Sequence, residues 1–244
     1  MFEAALWGAV GASSLLIGAL IGLLFRLPSR LIGLVLGFGA GTLISAVAFE
    51  LTEEAFNLGG ADAVVAGLAA GALAYFAGDS LIVKRGASDR MSPMGSAAVS
   101  TSASTALLLG AVLDGIPESA VIGLTLLDGG SVGVAVLVAV FISNLPEAMS
   151  SSSGMREAGA STWHVLRTWT WVVLASAVAA AAGYGLLEDA SGNTVALIQA
   201  FAGGAVLTML VDTMIPEANR HGGRVAGLFT VLGFAVAYLL TLVE

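Results

Sequence analysis

Two proline–glutamate steps carry the most chemistry in this sequence of 244 residues. The first lies in Asp114-Gly115-Ile116-Pro117-Glu118 and the second in Ser143-Asn144-Leu145-Pro146-Glu147. Asp114 and Glu118 are four residues apart, as are Ser143 and Glu147, so on a helix each pair shares one face. Each proline removes a backbone donor, interrupts the hydrogen-bond ladder just before its glutamate, and frees the carbonyl one turn earlier, at Leu113 or Ile142. Two kinked helices facing each other would offer carboxylate, amide, hydroxyl and carbonyl oxygens to one small space. That donor set suits a hard or borderline divalent cation. A blander reading stands beside it, because prolines are ordinary in membrane helices and a buried protonated carboxyl can simply pack. Two such steps at matching depth favour the cation.

Hydropathy locates the elements that must hold these residues. The chain is 57% hydrophobic and only 11% charged, too little charge to cover a soluble domain of this length. A bilayer core needs about 20 mostly apolar residues per helix. Runs of that kind cover Ala4–Phe25, Leu31–Phe56, Ala61–Ile82, Thr105–Leu127, Ser131–Ser153, Leu166–Leu187, Asn193–Glu217 and Val225–Val243. The expected fold is therefore an all-α integral membrane protein with eight transmembrane helices, forming one transporter domain over residues 1–244. A flexible cytoplasmic loop is expected at about 84–104. The first run lacks a basic leading segment and is long enough to span, so it reads as a retained helix.

Charge placement orients these spans. All nine Lys and Arg residues follow odd-numbered spans: Arg26 and Arg30, then Lys84, Arg85 and Arg90, then Arg156 and Arg167, then Arg220 and Arg224. The opposite side carries only acids, among them Glu3, Asp62, Asp128, Glu188, Asp189 and Glu244. The positive-inside rule then predicts a multi-pass protein of the cell membrane with both termini outside the cytoplasm. Net charge of −8 gives no footprint for nucleic acid, and the absence of cysteine excludes disulfides and thiolate metal sites. His164 and His221 fall in the expected cytoplasmic loops beside basic residues and read as solvated.

The sequence also repeats itself. The two Pro-Glu segments are offset by 29 residues, and Gly41 through Ala55 matches Gly204 through Ala218, aligning Glu54 with Glu217. Members of each pair are an odd number of spans apart and cross in opposite directions. Such an inverted repeat, with spans 1–3 and 6–8 around central spans 4 and 5, is common in secondary transporters with a midplane site.

Nine acids fall inside the proposed spans, where a charge costs about 2.5–3.5 kcal/mol on insertion scales. Glu53, Glu54 and Glu217 lie near span ends, Asp79 lies within reach of Lys84, and Glu50 and Asp212 are intermediate in depth. Asp114, Glu118 and Glu147 lie near mid-span with no Lys or Arg at their level, so they must be protonated, hydrated or neutralised by a cation. Ser150-Ser151-Ser152-Ser153 continues the polar face beyond Glu147, as an exit path or as plain helix packing.

These motifs resemble the Zrt/Irt-like (ZIP) family of divalent metal transporters. That family has eight spans, a long loop between spans three and four, and a binuclear site built on His-Asn-x-Pro-Glu in span four and a polar pair before x-Pro-Glu in span five. Its Pro-Glu-Ala of spans two and seven is matched by Glu53-Glu54-Ala55 and Pro216-Glu217-Ala218. The resemblance implies a metal site at Asp114, Glu118, Ser143, Asn144 and Glu147, and a pathway past Glu50, Glu54, Ser151, Asp212 and Glu217. It implies transport toward the cytoplasm with the metal as substrate and no permanently bound cofactor. The partners are then metal ions and the lipid bilayer, with no nucleic acid; a homodimer is compatible with the sequence. Asp114 and Gly115 stand where the family has His and Asn, which shifts the expectation from zinc toward manganese or iron, keeps zinc in the set, and makes a single-metal site plausible. The same departures keep open a transport-inactive protein that acts as metal sensor or scaffold. An enzyme is not expected: Glu53-Glu54 lacks the basic partners of a glutamate-dependent membrane protease, and the serine run has no histidine inside the membrane.

Overall fold

The computed structural model describes residues 1–25, 27–83, 101–127, 131–157 and 159–242, with backbone alone at 82–83 and 101–109. Of the loop expected at 84–104, residues 84–100 lie outside the described residues, and 101–104 already belong to a helix. The helices are α1 (Phe2–Leu24), α2 (Ser29–Ser45), α3 (Glu53–Val83), α4 (Thr101–Thr125), α5 (Val134–Glu157), α6 (Thr162–Leu187), α7 (Gly192–Met209), α8 (Ile215–Gly222) and α9 (Val225–Thr241). There is no strand among the described residues. Among the described residues, five helical stretches are long and apolar enough to cross a membrane: Phe2–Leu24, Ser29–Leu81, Val134–Glu157, Thr162–Leu187 and Gly192–Gly222. The second of these is 53 residues long, and it is broken at Gly60, where φ is 72° and only glycine enters readily. The outer surface is apolar, with Phe2, Leu73, Trp171, Leu186 and Leu228 well exposed, as a hydrocarbon solvent allows.

Two features depart from simple α-helical spans. A π-turn at Ala46–Thr52 joins α2 to α3, and another at Leu210–Met214 joins α7 to α8. They overlap at the offset that relates Glu54 to Glu217. Gly60 and Gly223 obey the same offset, and both have positive φ. Pro117 and Pro146 lie inside α4 and α5, which continue through them as single helices. α4 packs chiefly on α6 and α5 on α1, with a smaller contact between α4 and α5 themselves.

Small residues set these contacts. A side chain at Gly18 or Gly22 of α1 would collide with the carbonyl of Leu145 or Met149, so α1 lies directly against the turn that carries Glu147. In the other half of the molecule α3 packs along α7, and α2 along α9. Gly41 meets the carbonyl of Thr230 and Gly233 that of Phe38, while Gly204 meets Leu68 and Gly71 meets Phe201. The second crossing thus repeats the first, with Phe38 and Phe201 at the same offset as Gly41 and Gly204.

Candidate cation site

Five positions carry the expected metal donors, and all five are enclosed: Asp114 and Glu118 at 2% exposure, Ser143 at 1%, Asn144 at 3% and Glu147 at 5%. Asp114 and Glu118 share a face of α4. Ile116, between them, points outward. Asp114 is not left to itself. Its Oδ1 accepts a hydrogen bond from the hydroxyl of Tyr75, a buried residue on α3. Glu118 Oε2 is buried and has no hydrogen-bond partner. An orphaned carboxylate oxygen in a low-dielectric site is costly unless a proton or a cation joins it.

On α5, the Ser143 hydroxyl donates to the Val140 carbonyl at 3.0 Å, which leaves its oxygen able to accept. The backbone at Ser143 is held by α2, where a Cβ on Gly39 would stand 3.0 Å from Ser143 Cα and 3.2 Å from Met214 Cε. Thr42 strengthens this contact, donating to the carbonyls of Gly39 at 2.8 Å and Ala139 at 3.5 Å. Ser143 is therefore backed by α2 and the second π-turn together. A Cβ at Gly115 would lie 3.5 Å from Ser176 Oγ, so this position turns toward α6, where Ser176 is a buried hydroxyl.

Among the described residues no three of His, Asp and Glu converge closely enough to hold a metal by themselves. Any cation here must draw on Ser143, Asn144, backbone oxygens or water as well as carboxylates. Glu50 sits half-buried in the first π-turn and Glu54 half-buried in the first turn of α3; Ser151 is half-buried on α5. Asp212, expected along the pathway, is exposed in the second π-turn. Glu217 has basic neighbours: His221 Nε2 at 2.9 Å and Arg220 Nη1 at 3.5 Å.

The solvated reading of His221 is corrected by that contact. Its side chain is only 9% exposed because Gly33 of α2 lets α8 approach, with the Gly222 backbone nitrogen 2.3 Å from where a Cβ would stand. His164 is likewise half-buried rather than loose in a loop, and its backbone nitrogen donates to Ser161 at the start of α6. The expected partner of Asp79, Lys84, lies outside the described residues, as do Arg26, Arg85, Arg90, Asp128 and Glu244.

Sequence reasoning missed Tyr75 and Ser176. Neither has a spacing signal: each is a lone polar group in an apolar run, and Tyr75 is betrayed only by lying one turn before Asp79.

No family model matches the chain. A curated protein of Arabidopsis thaliana, whose name provisionally describes it as a zinc transporter, is 24% identical over 249 aligned residues. The alignment takes in 100% of this chain, which spans 38% of the length of that relative.

Proposed function

We propose that this chain is a multi-pass membrane protein with eight crossings that carries divalent metal cations toward the cytoplasm. The crossings form an inverted repeat, both termini lie outside the cytoplasm, and the cation passes Asp114, Glu118, Ser143, Asn144 and Glu147. The observation that carries this reading is Glu118: a buried, unpartnered carboxylate oxygen one turn from the equally buried Asp114. The helix that bears them contains no Lys or Arg. A divalent cation satisfies both carboxylates without a basic side chain, whereas a proton satisfies one oxygen at a time. The similarity to a relative named for zinc transport supports a metal as the cargo. The donor set, all oxygen, favours manganese or iron, with zinc retained because its affinity is high at many sites.

The test is uptake into proteoliposomes by the purified protein, with zinc, manganese, iron and cadmium in competition. Glu118→Ala and Glu147→Ala should each abolish uptake while leaving expression intact. Uptake unchanged in both variants would reject the site. Binding without uptake by the wild type would favour the sensor or scaffold suggested by Gly115, which offers no side chain where an amide is expected.

A further inference from the structure

Tyr75 belongs to a different helix pair from the acid it touches. One turn before it, Gly71 lies so close to α7 that a side chain there would meet the Phe201 carbonyl at 1.9 Å, so this level of α3 is pinned to α7. Asp114 rides on α4, which is pinned elsewhere: Gly123 faces the Ala180 carbonyl and Gly183 the Ala120 carbonyl, fixing α4 to α6. The Tyr75 hydroxyl therefore bridges the α3–α7 pair to the α4–α6 pair, and it does so through an oxygen of the candidate site. The phenol is enclosed, at 2% exposure. The repeat does not duplicate it. In the register of the close contacts, where Gly233 answers to Gly71, the corresponding buried position is Ala237.

We propose that Tyr75 is a positioning residue that sets the cation affinity of Asp114 and ties cation binding to the α3–α4 contact. The proposal rests on the cation reading above. A hydroxyl proton and a cation compete for the same carboxylate oxygen, because each presents positive charge to it. A cation drawn to the lone-pair direction that the phenol occupies on Asp114 Oδ1 displaces the hydrogen bond, and the lost bond subtracts from the affinity. Release of the cation restores the bond, so Tyr75 favours unloading.

The experiment measures manganese and zinc binding to the full chain by titration calorimetry, together with the metal-induced rise in Tm. Tyr75→Phe preserves the ring and removes only the hydroxyl. It should bind both metals about tenfold tighter, as expected when one hydrogen bond to a charged group no longer competes. Its Tm rise on metal addition should exceed that of the wild type. In an Asp114→Asn background, Tyr75→Phe should produce no further change in affinity. Equal affinity of wild type and Tyr75→Phe would overturn the inference, and so would weaker binding, which would make the phenol oxygen a ligand. A wild type that binds no divalent cation would reject the functional reading itself, whereas binding that ignores Tyr75 rejects this inference alone. Should Tyr75→Phe fail to fold, Asp114→Asn alone decides: a Tm rise with metal equal to that of the wild type would remove Asp114, and with it Tyr75, from the site.

Discussion

Neighbouring serines in the run after Glu147 differ in what they touch. Ser152 is fully buried and its Oγ accepts a hydrogen bond from Trp169 Nε1 of α6 at 2.7 Å, while Ser151 is only half-buried. Ser152→Ala would strand a buried indole N–H, a loss of about 1–3 kcal/mol in proteins at large and at the lower end between membrane helices. Thermal unfolding of the purified protein should show a lower Tm for Ser152→Ala than for the wild type. Equal Tm values would deny Ser152 its packing role. The contrast shows what was legible at this scale. Buried acids announce themselves in a sequence because an apolar helix has no inexpensive use for a charge. Hydroxyls do not, since serine and tyrosine are cheap in either setting, and only the partner decides. His221 was misread for a related reason: its neighbours Arg220 and Arg224 suggest a solvated turn, but its burial is caused by Gly33, remote in sequence.

At the scale of elements, glycine decides how near two helices come. A Cβ at Gly41 would stand 1.9 Å from the Thr230 carbonyl, and one at Gly204 would stand 2.2 Å from the Leu68 carbonyl. Both neighbours are backbone and cannot rotate away, so Gly41→Ala and Gly204→Ala must push whole helices apart, at a cost of about 1–3 kcal/mol each. Gly227→Ala, where nothing lies within 4 Å, should be neutral or stabilising by up to about 1 kcal/mol through helix propensity. Tm values in detergent that failed to separate the first two from the third would contradict the close crossings. The ends of α1, α4, α6 and α9 lie within a few residues of the hydropathy runs because length and apolarity fix a spanning helix, whereas α2 and α7 stop at Ser45 and Met209, well short of Phe56 and Glu217. The π-turns were not legible. Ala46–Thr52 and Leu210–Met214 carry no proline, and although both fall inside the repeated segments, an extra residue in a helical turn is settled by what packs around it. The prolines leave α4 and α5 continuous, because a membrane helix can absorb a lost donor.

For the whole molecule, the matched π-turns, the matched glycine breaks at 60 and 223, and the paired close crossings describe one arrangement used twice. Exchanging α1 with α6, α2 with α7, α3 with α9 and α4 with α5 maps each principal packing partner onto another: α3 on α7 becomes α9 on α2, and α1 on α5 becomes α6 on α4. If the two halves cross the membrane in opposite senses, as proposed from the charge pattern, the exchange is an inverted repeat and the ends of the chain face the same side. The sequence contains no cysteine, so a single introduced thiol reports its side without background. A membrane-impermeant maleimide added to intact cells should label Glu3→Cys and Asp189→Cys, and should label Arg224→Cys and Glu157→Cys only after the membrane is opened. Glu157 is the discriminating position, since it is an exposed acid beside Arg156 at the end of α5 and follows the helix rather than its own charge. Labelling of Glu157→Cys from outside would imply an even number of crossings between it and an outside N-terminus, and the opposed halves would have to be abandoned.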